Sequence, residues 1–208
     1  MISILDYGVG NLNAFCTIYK RLNIDVEIVS TAEAVLRSSH IILPGVGAFD
    51  TAMDKLNKSG MRDALDKAVY DKKTPILGVC IGMHMLGNSS EEGSEEGLGY
   101  IEGDVCSMGS IIVNEDYHLP HMGWNNITSD NENHPIWKDI DSSRGFYFLH
   151  SYFFKPKNKS SIFASCNYGN DFTCAIQEEN IFGFQFHPEK SLNNGIHLLR
   201  NFKETSIA

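Results

Sequence analysis

The stretch Ile76-Leu77-Gly78-Val79-Cys80-Ile81-Gly82-Met83-His84-Met85-Leu86 decides the fold. Residues 76–79 form a short aliphatic run, the pattern of a buried strand. Residues 83–86 continue as a helical stretch. Between them one cysteine stands two residues from a glycine on either side, as Gly-x-Cys-x-Gly. A strand that passes at once into a helix does so through a strained and crowded turn, which is why glycines flank it. Such a turn lifts its central side chain above the sheet at a helix N-terminus, where the dipole stabilises a thiolate. The backbone N–H of the next residue, Ile81, then points at a developing oxyanion. A buried cysteine at a strand end is more often a plain small hydrophobe. With both glycines in place, the nucleophile reading is the stronger one.

The pattern repeats outward from this turn. Residues 2–5, 26–29 and 41–43 are further short aliphatic runs, and amphipathic stretches over 11–22, 51–56 and 61–70 lie between them. Strand alternating with helix is the mark of a parallel sheet covered by helices. The second half changes character. Residues 111–114, 146–152, 161–166, 172–177 and 181–186 read as strands with few helices between, and Glu178-Glu179-Asn180 reads as a tight hairpin. A last helix is expected over 195–202, and 89–99, rich in glutamate and glycine, reads as a surface loop. The expectation is an α/β fold: an open, mostly parallel sheet flanked by helices, with an antiparallel extension, in a single domain spanning 1–208.

Composition narrows the class. The 208 residues carry 17 Lys+Arg against 26 Asp+Glu, a net charge of −9. That balance argues against nucleic acid, whose phosphates need clustered cations. No apolar run nears the ~18 residues of a membrane span, and the first residues lack the basic start of a signal peptide. Five cysteines, Cys16, Cys80, Cys106, Cys166 and Cys174, are odd in number and scattered. They suit a reducing cytoplasm rather than a disulfide framework.

A thiol nucleophile needs a base, and eight histidines are available. His187 stands out in Phe184-Gln185-Phe186-His187-Pro188-Glu189. Strand alternation places His187 and Glu189 on one side, with Pro188 ending the ladder. An imidazole held by a carboxylate and facing a thiol is triad logic. A second oxyanion donor is available from Pro44-Gly45-Val46-Gly47, beyond the 41–43 strand, on the edge where sites of open α/β sheets lie. Asp6-Tyr7-Gly8-Val9-Gly10-Asn11 lacks the spacing of a dinucleotide loop, so no cofactor is expected there. Cys80, His84, His118 and His121 match no metal-ligand spacing, and no metal is expected.

These residues carry a family resemblance. The elbow with Phe186-His187-Pro188-Glu189 resembles the class I (triad) glutamine amidotransferases. Within them, Pro120-His121-Met122-Gly123-Trp124-Asn125 and Tyr147-Phe148-Leu149-His150-Ser151-Tyr152 are similar to the glutaminase subunits of imidazole glycerol phosphate synthases. Also matching are Asp6 to Leu12, Leu43 to Phe49 and Gln185 to Ser191, so the resemblance runs nearly end to end.

The resemblance implies hydrolysis of glutamine by Cys80, His187 and Glu189. It places an oxyanion hole at Gly45, Val46, Gly47 and Ile81, and binding of the amino-acid end at Glu92, His150, Ser151 and Tyr152. It also implies that the oxyanion loop reorients when a partner binds, so the isolated chain is expected to be a weak glutaminase. A glutaminase of this kind takes up the whole 208 residues, so the ammonia acceptor is expected to be another chain. By resemblance it is a (β/α)8-barrel cyclase bound as a heterodimer through Asn11, Trp124, Tyr147 and Lys190. That cyclase turns PRFAR into imidazole glycerol phosphate and AICAR in histidine biosynthesis.

One position departs from the family. Four residues after the nucleophile the family carries Gln, and here it is His84. The i+4 spacing keeps His84 on the nucleophile's face, lining the glutamine pocket. An imidazole cannot reproduce the amide's hydrogen-bonding fork. Altered glutamine affinity, a paralogue feeding a sugar-amidating synthetase of surface-polysaccharide assembly, and a degenerate regulatory subunit all remain open on this residue.

Overall fold

A computed structural model describes residues 1–112 and 116–205. Its strands are β1 (Ile2–Leu5), β2 (Val26–Val29), β3 (Ile41–Gly45), β4 (Ile76–Cys80), β5 (Ser89–Ser90), β6 (Gly103–Ser107), β7 (His121–Asn125), β8 (Phe146–His150), β9 (Tyr152–Pro156), β10 (Ile162–Tyr168), β11 (Asn170–Glu178) and β12 (Ile181–Phe184). Its α-helices are α1 (Leu12–Arg21), α2 (Ala32–Arg37), α3 (Phe49–Lys58), α4 (Arg62–Asp66), α5 (Ile81–Met85) and α6 (Leu192–Glu204).

The main sheet has the order β10-β11-β12-β4-β3-β1-β2. The five strands from β12 to β2 run parallel, while β10, β11 and β12 pair antiparallel. This is the expected open sheet with its antiparallel extension. β1, β3, β4 and β12 are buried along their whole length, because helices cover the sheet. Strands buried on both faces cannot alternate, hence their continuous aliphatic runs. Each fully buried Ile or Leu contributes roughly 1.5–3 kcal/mol of transfer free energy. α1 packs on α6, where the Tyr19 hydroxyl donates to Leu199 O (3.1 Å), α2 packs on α4, and α3 on α5.

Several expectations are corrected. Residues 146–152 are not one strand. The chain leaves the two-stranded β7-β8 sheet at His150, breaks at Ser151 and joins β6 as β9. Met108 N–H donates to Ser151 O (2.9 Å) at this change of partner. Of the strand expected over 111–114, Ile111 and Ile112 follow a 3-10 turn instead, and Val113 and Asn114 lie outside the described residues. The helix expected over 61–70 is α-helical only to Asp66 and continues as a π-helical turn, Lys67–Asp71. In the 89–99 loop, Ser89 and Ser90 pair with β6.

The fold positions the site through register. β3, β4 and β12 are parallel neighbours, and Gly45 sits opposite Cys80, with Phe184 opposite Val79. Three carboxyl ends therefore deliver the Gly45–Gly47 loop, Cys80 and the segment leading to His187 to one edge.

Candidate active site

Cys80 has φ +54° and ψ −113°, a conformation that L-residues rarely adopt. Its neighbours show why the turn needs glycines. A Cβ on Gly78 would stand 2.5 Å from Gly82 O, and one on Gly82 would collide with the Leu43 carbonyl of β3. A Cβ on Gly45 would meet Gly82 N at 2.5 Å. Two backbones thus approach with no side chain between them, and the strained cysteine is held from both sides. Tyr7 hydroxyl donates to Pro44 O and tethers the loop from below. Burial pushes that phenol's pKa far up, so it remains a donor.

His187 Nδ1 meets Glu189 Oε1 at 2.9 Å, with both side chains almost completely buried. The expected mechanism of this placement is corrected. β12 ends at Phe184, and Pro188–Lys190 is a 3-10 turn, so a turn rather than strand alternation brings the carboxylate back to the ring. His187 and Cys80 line the same cleft, and the Cys80 sulfur is close enough to act on the imidazole electrostatically. Burial lowers the pKa of His187, but Cys80 and Glu189 outweigh it and hold the imidazole at about 9. The ring therefore favours its protonated form beside the thiol.

A cleft of about 310 Å³ opens above these groups. It is lined by Val46, Gly47, Ile81, His84, Glu92, His150, Ser151, Tyr152 and Lys190 as well as Cys80 and His187. Each expected oxyanion and substrate residue except Gly45 lines it directly, and Gly45 packs against Ile81 and Gly82 just beneath. Glu92 is fixed by Phe49 N–H, which donates to its Oε2 (3.0 Å) at the start of α3. Burial raises the pKa of Glu92, against the lowering effect of that N–H. Asp50 accepts from Ser94 N–H (2.9 Å) and Glu95 N–H (3.0 Å), and so fastens the 89–99 loop to α3.

His150 is held by a chain of hydrogen bonds with one consistent direction. Its Nδ1 donates to Tyr152 O (2.8 Å), so its Nε2 accepts from His121 Nδ1 (2.9 Å). Asn125 Nδ2 closes the chain on His121 Nε2 at 3.5 Å. Burial lowers both imidazole pKa values, His121 to about 4, and each ring stays neutral. His121, which the sequence offers as one of eight candidate bases and as a metal ligand of unsuitable spacing, stands behind His150.

Three of the residues expected at a partner surface form one visible group. Trp124 and Tyr147 face each other across β7 and β8, with rings 6.2 Å apart, and Lys190 Nζ lies 5.7 Å above the Tyr147 ring. Trp124 is 48% exposed and Met122 beside it 66%, an apolar surface of the kind that binds partners. Asn11 is exposed at the head of α1, the helix that packs against the Pro188–Lys190 turn. The Tyr147 backbone reaches the site: His187 N–H donates to Tyr147 O (2.9 Å), and Tyr147 N–H to Ser191 Oγ (3.0 Å).

The model of the family "Glutamine amidotransferase class-I" matches residues 3–205. The chain belongs to the class I glutamine amidotransferases. This amidotransferase is 50% identical over 202 residues to the imidazole glycerol phosphate synthase subunit HisH of Leptospira borgpetersenii, covering 97% of this chain and 98% of that one. It is 48% identical to the subunit of the same name from Bdellovibrio bacteriovorus, covering 98% and 100%. Among solved structures, one described as a glutamine amidotransferase superposes with a TM-score of 0.72 at 19% identity, covering 98% of this chain and 97% of that one; that likeness concerns the fold. The amidotransferase is an enzyme of the HisH family.

One site residue was missed in the sequence. Gln185 is fully buried between His84 and Cys80. Its signal was available: a polar side chain alone between Phe184 and Phe186 is a buried polar group, and such groups need a reason.

Proposed function

We propose that this chain hydrolyses glutamine at Cys80 and passes the ammonia to a separate (β/α)8-barrel cyclase, which makes imidazole glycerol phosphate and AICAR from PRFAR in histidine biosynthesis. The observation that carries this reading is the convergence of a strained cysteine and a buried His187–Glu189 pair on one cleft. The 1–208 span acts as one glutaminase domain.

The reaction follows from the groups present. The Cys80 thiolate attacks the side-chain amide carbon of glutamine, and the carbonyl oxygen takes up negative charge. Backbone N–H groups of Ile81 and the Gly45–Gly47 loop receive that oxyanion, the point where preorganised donors contribute most. Gly47, at φ +88° with nothing near its Cβ position, gives the loop room to turn. Protonated His187 gives its proton to the departing nitrogen, and ammonia leaves a thioester on Cys80. His187 then takes a proton from water, the resulting hydroxide attacks the thioester, and glutamate leaves with the thiolate restored. Glu189 keeps the ring oriented throughout. Glu92 and the His150-Ser151-Tyr152 segment bind the amino-acid end of the substrate, with His84 on the same wall.

Ammonia set free in water is protonated at neutral pH and lost as a nucleophile, so it must reach its acceptor inside a complex. The Trp124, Tyr147 and Lys190 surface suits that contact, since Trp and Tyr dominate binding energy at interfaces. The hydrogen bond from His187 N–H to Tyr147 O supports a short route from a partner on this surface to the triad. The test mixes the chain with a purified barrel cyclase of the HisH-partner type, PRFAR and glutamine. The expected result is a one-to-one complex, product formed from glutamine, and much faster glutamate release than from the chain alone. A chain that neither binds the cyclase nor supports synthesis from glutamine contradicts the proposal.

A further inference from the structure

Gln185 follows β12 directly, and its backbone N–H donates to Cys174 O (2.9 Å), which fixes where the side chain begins. The side chain bridges two residues of the nucleophile's own turn and helix. Its Oε1 lies 2.7 Å from His84 Nε2, and its Nε2 lies 4.0 Å from Cys80 Sγ. An amide oxygen only accepts, so this arrangement requires the His84 proton on Nε2. Burial drops the His84 pKa to about 4, so at neutral pH the ring carries one proton. Its Nδ1 is then a bare lone pair. That atom is buried without a partner among the described residues, on a ring that lines the cleft.

The alternative arrangement has nearly the same shape and the opposite electrostatics. Turning the amide by half a rotation would put its oxygen on the sulfur and its N–H on His84, with the ring proton moved to Nδ1. An N–H on the sulfur stabilises a thiolate, whereas a carbonyl oxygen there repels it. The tautomer of His84 therefore decides which dipole the nucleophile meets. A substrate N–H accepted at Nδ1 would select the favourable tautomer.

We propose that His84 and Gln185 form a positioning relay, in which the Nε2 proton of His84 holds the Gln185 amide N–H on the Cys80 sulfur. The relay rests on the reading of Cys80 as the nucleophile. The relay gives the sulfur an N–H donor that is separate from the acid–base group His187. It also gives His84 a part that a glutamine pocket alone does not.

The test is alkylation of Cys80 by iodoacetamide across pH in the purified full chain, read by peptide mass so that the other four cysteines are resolved. The ionisable groups around Cys80 are His187 with Glu189 behind it, His84, His150 and the Tyr7 phenol. Only His84 changes in the variants. Gln185→Leu and His84→Leu are each expected to raise the alkylation midpoint by about one pH unit, the scale of one charge-assisted hydrogen bond. The double variant rises no further, because both changes break the same relay. His84→Gln restores an N–H donor to Gln185 Oε1 and brings the midpoint back.

Additive shifts, or a wild-type midpoint in Gln185→Leu, overturn the relay. Where thermal scans show Gln185→Leu unfolded, Gln185→Met takes its place; it keeps the side-chain length without an N–H donor or a charge, and an unshifted midpoint there equally overturns the relay. Glutamate release from glutamine is followed in parallel with the cyclase present. Shifted alkylation with no release in the wild type supports the relay and contradicts the proposed reaction, whereas release with unshifted alkylation contradicts the relay alone.

Discussion

Replacing Cys80 by Ala is expected to cut glutamine-dependent synthesis by the complex by at least ~10³-fold while leaving synthesis from added ammonium salt within about twofold of wild type. The loss is large because no other atom in the cleft can form the thioester. His187 can pass protons but has nothing to activate except water. The retained half of the result is equally informative. Alanine carries the same Cβ as cysteine and meets the same backbone strain at φ +54°, so the turn and the surface around Trp124 keep their shape. The cyclase then remains in its bound state and accepts ammonia from solution. Loss of both activities would mean that Cys80 is structural, and retention of both would mean that glutamine is cleaved elsewhere.

The second large effect concerns the fold of the site. Gly82→Ala is expected to destabilise the chain by about 3 kcal/mol or more, seen as a drop in Tm of roughly 6–12 °C for a chain of this size. The added methyl would run into the Leu43 carbonyl, and a backbone carbonyl of a central strand has nowhere to go. β3 and α5 must separate, which moves the Gly45–Gly47 loop away from Cys80. Gly60→Ala is the control. Gly60 also has positive φ, +73°, but nothing lies near its Cβ position, so it should cost only about 1 kcal/mol. A Gly82→Ala protein as stable as the Gly60→Ala protein would contradict the close backbone approach described here.

The parallel half of the fold was legible because its signal is local. Four aliphatic runs separated by amphipathic stretches admit few other arrangements, and β1 and β2 match the expected bounds residue for residue. α2 was missed, since six residues barely establish a helical period. Its cap was nevertheless present, with Thr31 accepting from Ala34 N–H (3.3 Å). The break at Ser151 could not be read. Hydrophobicity over 146–152 states that the segment is buried, not which neighbour it pairs with, and the pairing changes from β7 to β6 in mid-run. β7 escaped for a related reason: its less exposed face carries His121, Gly123 and Asn125, while its apolar Met122 and Trp124 face outward, so no apolar alternation marks a core face.

The site divides in the same way. The elbow glycines and His187-Pro188-Glu189 are dense local patterns, and the structure brings them together. Gln185 and the His121–His150 pair act through partners 105 and 29 residues away, a relation that only the folded chain expresses. His84 lines the cleft as its spacing required, but its hydrogen bond runs to Gln185, which no spacing rule on one helix could supply.

In the proposed reaction the Cys80 sulfur is the atom that glutamine meets. Incubation with the diazoketone glutamine analogue 6-diazo-5-oxo-L-norleucine, with the cyclase present, followed by peptide mass mapping, measures this. The expected result is one adduct, on the peptide carrying Cys80, slowed by added glutamine and absent from Cys80→Ala. An adduct on Cys16, Cys106, Cys166 or Cys174, or equal labelling of Cys80→Ala, would contradict it.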